Sequence, residues 1–339
     1  MLYIEVKSND IKFSLAAEEY VMRNFPVGEP VFMLWRTQKC VIIGRSQIAA
    51  AEIDLQMAHS LGIDVIRRSS GGGAVFSDSG NIMQSIITPF NESDEPKTIE
   101  REQLVEPMAK ALRKMGIPAV AEGRNDITVD GRKISGLAQY AIKNRLCSHG
   151  SLLYDVDMDL LTGVLKTDPE KINSKALKSM RARVANLCEY FNPKLSVDEF
   201  FELLKSYLFD KETGIGAVTG TEIKNYNFTD DEIKRINVIR DEKYANPEWI
   251  NGATPKFSFH NVKRFPAGKI EIFMYVEHGV INSCKIYGDF LGIHSVEELE
   301  KNLINQSHEY NIISGILSDI DLRLYLGNIT KEELLSCLF

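Results

Sequence analysis

Short apolar runs alternate with amphipathic segments along this chain, and the period of each run predicts its element. LYIEV reads as a short strand, and SLAAEEYVMRNF carries apolar residues at helical spacing behind Ser14, a candidate N-cap. VFMLWR and KCVIIGR are apolar enough for two strands, and AAAEIDLQMAHSLG predicts one helix ending at Gly62. IDVIRRSS predicts a strand that runs directly into three glycines, with a further strand, NIMQSIITPF, beyond them. REQLVEPMAKALRKMG reads as an amphipathic helix stopped by Gly116 and Pro118. DITVDGRKISGLAQY divides into two strands about the hairpin signal Asp130-Gly131, and HGSLLYDVD predicts another. The stretch from Thr167 to Arg183 has no clean period and reads as loop or short helix, after which SVDEFFELLKSYLFD and FTDDEIKRINVIRDEKY return to helical spacing.

After Asn246-Pro247 the texture changes. KFSFHNVKRF and KIEIFMYVEHGVINSCKIYGDF predict a strand meander, and SVEELEKNLINQS and KEELLSCL predict helices. No repeat or low-complexity linker interrupts the chain. The expectation is a mixed α/β domain over 1–246 with a smaller α+β domain over 247–339.

Composition narrows the function classes. The 339 residues are 44% apolar and 26% charged, enough for one large core or two smaller ones. The N-terminus lacks the apolar run of a secretory signal, and no segment approaches the roughly eighteen uninterrupted apolar residues of a membrane span, so no membrane association is expected. Five cysteines (Cys40, Cys147, Cys188, Cys284 and Cys337) lie far apart without a C-x-x-C pair. That disfavours a disulfide framework or a structural zinc site and fits a reducing cytoplasm. A net charge of −7 argues against general nucleic-acid binding, so any phosphate must be held locally. One local basic patch exists: Lys171, Lys175, Lys178, Arg181 and Arg183 fall in a stretch free of acids.

Three segments carry candidate chemistry. In RRSSGGGAVF, Arg67 to Phe76, a strand ends in two arginines before a triple glycine, and the absence of Cβ atoms lets the backbone N–H groups approach an anion. Arg68 can add a forked donor suited to carboxylate or phosphate. The spacing is neither that of a P-loop nor that of a dinucleotide fold. Read blandly, three glycines are a flexible turn. In GRNDITVDGRKISG, Lys133 sits rigidly after a hairpin, where an ammonium can stabilise developing negative charge. Asn125 and Asp126 offer hard oxygen ligands for Mg²⁺. The alternative reading is a pair of solvated hairpin charges. Ser135-Gly136 favours a ligand, because a strand glycine often marks close backbone approach. In CSHGSLL, His149 can bond a ligand or simply pack, and Cys147, two residues earlier, shares its strand face and is a candidate nucleophilic thiol.

Together these blocks resemble the lipoate-protein ligase family, whose pattern runs approximately RRxSGGGAVxHDxGN, GRNDIxxxGxKxSG, HGTLL. The chain reads RRSSGGGAVFSDSGN, GRNDITVDGRKISG and HGSLL at those places. GRSQ from Gly44 with Glu52, SMRARVANL from Ser179, and the tail blocks NPEWINGATPKF, RFPAGKIEIFMYVEHGVI and KIYGDF extend the resemblance over nearly the whole chain. It implies a mixed-sheet catalytic domain shared with biotin-protein ligases, a C-terminal accessory domain, and movement between the two. It also implies ATP and Mg²⁺, lipoate activated as lipoyl-AMP, and transfer to a lysine of a 2-oxoacid dehydrogenase lipoyl domain or the glycine-cleavage H protein. Carried over residue by residue, Lys133 is the catalytic lysine. Arg68, Ser70, Gly73, Ala74, Val75, Phe76, Asn81, Asn125, Ser135, Gly136, Ala138, His149 and Arg183 bind substrate or adenylate, with Asp126 toward magnesium. The basic stretch from Lys171 to Arg183 matches the loop that closes over the adenylate. Two positions depart: Ser77 stands where the family has histidine, and Tyr140 where arginine is common. Two rivals remain, a transferase of the same fold using a Cys147 thioester without ATP, and a catalytically silent lipoate binder.

Overall fold

The computed structural model describes residues 1–91, 93–96, 99, 101–122, 125–165, 183–210, 215, 222–251 and 257–339. β1 (Leu2–Val6) and β2 (Val31–Trp35) pair in parallel through the crossover helix α1 (Ile11–Asn24). α1 begins earlier than the predicted cap. The Asp10 carboxylate accepts from the Lys12 amide, and Ser14, already inside the first turn, returns its hydroxyl to the Asp10 carbonyl at 3.2 Å.

β3 (Cys40–Ile43) pairs in parallel with β4 (Asp64–Arg67) and antiparallel with β5 (Val75–Ser77), forming a separate three-stranded sheet. Between β3 and β4 the single predicted helix is two short ones, α2 (Ala49–Glu52) and α3 (Leu55–Ser60). Ile53 leaves the helix to bridge Leu165, and Asp54 restarts it by accepting from the Met57 amide at 2.9 Å. The apolar pattern runs on across the break, which is why periodicity alone does not reveal it.

The large sheet is completed by β6 (Asn81–Pro89), β7 (Ala119–Glu122), β8 (Asp126–Val129), β9 (Arg132–Ile142), β10 (Arg145–Leu153) and the short β11 (Lys224–Asn225). Its order is β11-β1-β2-β6-β10-β9-β8-β7. Asp130 and Gly131, with φ of 52° and 72°, form the predicted tight turn between β8 and β9. Both faces of the sheet are covered, so β2 is buried at every position. Phe32 and Leu34 meet α4 (Glu106–Lys114) and α5 (Val197–Leu208) in one core with Met108, Leu112, Phe200 and Leu204. Val31, Met33 and Trp35 face α1 and α6 (Asp230–Ile239) in the other, with Leu15, Tyr140, Cys147 and Ile236.

The C-terminal unit has its own core. β12 (Phe259–Phe265), β13 (Gly268–Glu277) and β14 (Val280–Gly288) form an antiparallel meander, as predicted, and α7 (Val296–Leu303), α8 (Tyr310–Ser318) and α9 (Lys331–Leu338) bury Leu299, Ile313 and Leu335 against Ile270, Ile272 and Met274. The segment after β14 docks on the first unit. The Gly288 amide donates to the Ser46 carbonyl at 2.5 Å, the Ala141 amide donates to the Ile293 carbonyl at 2.9 Å, and Lys269 pairs with Glu52 at 3.1 Å. Among the described residues no helix is long and apolar enough to cross a membrane. Phe200 stacks on Tyr154 at 4.0 Å in the larger core, so Phe200→Ala should cost about 3–5 kcal/mol in urea unfolding with an unchanged slope.

Candidate active site

A cavity of about 350 Å³ opens where β9 and β10 meet the glycine loop and the segment after β14. Arg68, Gly73, Ala74, Val75, Asn125, Asp126, Lys133, Gly136, Ala138 and His149 all line it, so most of the residues singled out from the sequence converge there. Asp289 and Leu291 of the C-terminal unit close one side.

The glycine loop is held from beneath by its two arginines. Arg68 is buried, and its guanidinium donates to the carbonyls of Ile42 at 3.0 Å, Gly71 at 2.6 Å and Gly73 at 2.8 Å, and to Ser70 Oγ at 3.0 Å. Arg67 donates to the carbonyls of Gly44, Arg45 and Gln47 at 2.6–3.0 Å and to that of Trp249 at 2.8 Å. Burial lowers both pKa values to about 10, which leaves both charged at neutral pH. Because peptides are planar and trans, carbonyls of Gly71 and Gly73 turned toward Arg68 aim the N–H groups of Gly72 and Ala74 away from it. The Gly72 amide indeed donates to the Phe290 carbonyl at 3.1 Å. The glycines also permit close packing: a Cβ on Gly44 would stand 2.1 Å from the Gly72 oxygen, and one on Gly71 would stand 2.5 Å from the Phe290 oxygen.

Ser70 links this loop to the sheet. Its hydroxyl accepts from Arg68 and lies 2.6 Å from His149 Nε2, while His149 Nδ1 lies 2.9 Å from Glu18 Oε2. Glu18, fully buried on α1, also accepts from Tyr140 Oη at 3.1 Å and from Ser85 Oγ. Burial alone would raise the Glu18 pKa, but the charge and hydrogen bond of His149, with Ser85 and Cys147, outweigh it and hold the carboxyl below its ordinary range. Cys147 is buried beside Glu18, and burial with that neighbouring charge pushes its thiol well above the usual value.

Lys133 is anchored through its main chain. Its amide donates to the Arg183 carbonyl at 2.7 Å, and its carbonyl accepts from the Ala185 amide at 3.0 Å. Its Nζ lies 2.8 Å from Asp126 Oδ1, an ion pair off the hydrogen-bonding angle. A Cβ on Gly136 would stand 2.7 Å from Lys133 Cε, so the lysine chain lies across the space this glycine leaves. Asn125 Nδ2 donates to the Leu137 carbonyl, and the Leu137 amide donates to the Asn125 carbonyl at 3.1 Å, continuing the β8–β9 pairing.

Some candidates stand apart from the cavity wall. Ser70 lies behind it, and Phe76 packs with Val41 and Ile53 in a satellite core. Asn81 accepts from the Asp78 amide at 3.1 Å, and Ser135 is buried. Arg183 is exposed and meets Lys133 through its carbonyl. Gly123, Arg124, Lys171, Lys175, Lys178 and Arg181 lie outside the described residues. The two departures have partners: Ser77 bonds Thr37 at 2.8 Å, and Tyr140 bonds Glu18. Glu18 escaped the sequence reading, although Ile11, Leu15, Glu18 and Met22 share one helical stripe and an acid in that stripe signals a bonded, buried carboxylate.

The sequence pattern of the lipoyl protein ligase A/B catalytic domain matches residues 10–209, and that of the bacterial lipoate protein ligase C-terminus matches residues 254–338. The chain belongs to the lipoate-protein ligase family. It is 38% identical to the lipoate-protein ligase LplJ of Bacillus subtilis over 100% of both chains, and 36% identical to lipoate–protein ligase 1 of Staphylococcus aureus over 96% of each. Among solved structures it is similar to LipL1 of P. falciparum in complex with lipoate, with a TM-score of 0.76 and 25% identity over 99% of this chain and 97% of that one. A lipoate-protein ligase A bound with ATP has a TM-score of 0.63 and 27% identity over 74% of this chain and 98% of that one. This membership makes the chain an enzyme of protein lipoylation.

The Glu18 carboxyl has a lowered pKa in the folded protein, so its stabilisation is present above the ordinary value of 4.5 and is lost as pH falls through the lower folded value. Between about pH 5 and pH 3, the urea midpoint of the native chain should therefore fall more steeply than that of Glu18→Gln. Parallel slopes would show that the carboxylate carries no such linkage.

Proposed function

We propose that this cavity binds ATP and lipoate together and catalyses both halves of lipoyl transfer. The lipoate carboxylate attacks the α-phosphate, giving lipoyl-AMP and pyrophosphate. The amine of an acceptor lysine then attacks the acyl carbon, losing a proton and releasing AMP. The observation that carries the reading is Lys133, anchored at its own peptide group and lying across Gly136 into a cavity rimmed by the glycine loop. A fixed ammonium there stabilises charge on the phosphate in the first step and on the acyl oxygen in the second. Arg68 acts by rigidifying the loop, and its neighbours Gly73, Ala74 and Val75 form the wall against the adenylate. Ala138 and His149 border the lipoyl chain, with Ser70 and Glu18 setting the histidine ring.

The donor set also suits magnesium. Asp126 keeps one oxygen outside its ion pair with Lys133, and Asn125 stands beside it, matching an ion that takes one or two protein carboxylates with phosphate oxygens. Bound there, it would neutralise phosphate charge. We assign catalysis to residues 1–246 and an accessory role to 247–339, and place the enzyme in the cytoplasm, where thiols such as its five free cysteines stay reduced. The acceptors are lipoyl-domain proteins, the E2 subunits of 2-oxoacid dehydrogenases and the glycine-cleavage H protein. A Thermoplasma acidophilum bipartite ligase solved with its E2 lipoyl domain, 28% identical over 76% of this chain, supports that class. The thioester alternative is disfavoured, because the Cys147 thiol is buried with a raised pKa and would supply little thiolate.

With ATP, Mg²⁺ and lipoate, pyrophosphate release should fall by about 10²–10³-fold in Lys133→Ala. Cys147→Ser should stay within about threefold of the parent, the range of a small packing change. Acceptor modification that needs Cys147 and no ATP would instead establish the transferase.

A further inference from the structure

A second cavity, of about 750 Å³, lies between the two units. Arg45, Lys243 and Trp249 line its catalytic-side wall, and His294, Glu297 and Glu298 its accessory-side wall. Arg45 belongs to the GRSQ block, none of whose residues lines the candidate active-site cavity. Its main chain is fixed in the glycine-loop scaffold, the amide donating to the Ser70 carbonyl at 2.8 Å and the carbonyl accepting from Arg67 at 2.8 Å. Its side chain lines the second cavity and forms no hydrogen bond or ion pair with a described residue.

Such a cation is poorly compensated. Burial lowers the Arg45 pKa, and the opposing influence of Tyr140, Tyr244, Glu297 and Glu19 does not cancel it. Lys243 is close enough to Arg45 for the like charge to lower its own pKa, after burial as the larger cause, although it pairs with Glu19 at 2.7 Å. Lys243 also donates to Ser69 Oγ at 3.0 Å and lies 4.4 Å from the Trp249 ring centre. On the facing wall, His294 Nε2 is buried without a hydrogen-bond partner among the described residues. A guanidinium without a partner in a water-accessible cavity, and a ring nitrogen buried without one in its wall, call for an acceptor that the described residues do not supply.

We propose that this interdomain cavity is a binding site for a phosphate group, with Arg45, Lys243 and His294 as its donors. A guanidinium fork, an ammonium and an imidazole N–H offer more donors than a planar carboxylate has oxygens to match, and a tetrahedral phosphate accepts them from several directions. Glu297, Glu298 and Asp319 elsewhere in the lining oppose added negative charge, which favours a single phosphate group over an extended polyanion. Glu298 is already engaged by the Tyr325 hydroxyl at 3.3 Å, and Asp321 by Arg323 at 2.8 Å. A phosphate held by both walls ties the accessory unit to the catalytic one.

The test is calorimetric titration of the full chain with inorganic phosphate, without nucleotide or magnesium, for the parent, Arg45→Gln, His294→Gln and Lys133→Ala. The expected result is saturable binding that weakens about tenfold or more in Arg45→Gln, weakens measurably in His294→Gln, and is unchanged in Lys133→Ala. His294→Gln keeps the test decisive if Arg45→Gln does not fold. Absence of saturable binding would overturn the proposal, and so would binding that is lost in Lys133→Ala yet kept in the Arg45 and His294 variants, which would place the anion in the candidate active site.

Discussion

A carboxylate taken out of water persists only where hydrogen-bond donors replace the solvent, and Glu18 imposes that condition at the centre of the catalytic unit. Its partners come from separate parts of the chain: His149 on β10, Tyr140 on β9 and Ser85 on β6. Satisfying one charge thus fixes three strands of the large sheet against α1. The same contact sets the His149 ring, which meets Ser70, which in turn accepts from Arg68. From Arg68 the chain of bonds passes to the carbonyls of the glycine loop. A loop of three glycines, conformationally free in isolation, becomes part of a rigid scaffold because every link behind it is buried and bonded.

The two units meet at that same loop. Glycine at positions 71 and 72 lets the segment after β14 approach the backbone closely, and the Phe290 carbonyl takes the Gly72 amide. The loop therefore has two faces, one toward the cavity and one toward the C-terminal unit, and the close packing that calls for small residues is on the second. Lys133 depends on a different support, the peptide groups of Arg183 and Ala185, which hold its main chain while the side chain crosses Gly136. Rigid placement of a cation beside a rigid loop is the arrangement that electrostatic catalysis requires.

Much of this was legible from residue pattern. Most of the strands, though not β5, β7 or the short β11, the Asp130-Gly131 turn, the C-terminal meander and most of the cavity wall follow from apolar alternation, turn residues and the three ordered blocks. Patterns failed where tertiary contacts overrode local signals. α1 starts at Asp10 because its carboxylate reaches the first turn, and the helix after β3 breaks because Ile53 is claimed by Leu165. Arg68 lines the cavity as its block suggested, but sequence shows charge and not direction, and in the fold its donors face main-chain carbonyls and Ser70. Leu291 gave no signal and Asp289 only its place in the KIYGDF block, since nothing in their own segment tells that it will be laid against a cavity far upstream in the chain.

The central claim, that the cavity joins lipoate to AMP before any acceptor is involved, is tested most directly by isotope exchange between pyrophosphate and ATP in the absence of acceptor protein. The account predicts exchange that requires lipoate and vanishes in Lys133→Ala. Exchange that proceeds without lipoate, or no exchange in a preparation that still lipoylates its acceptor, would contradict it.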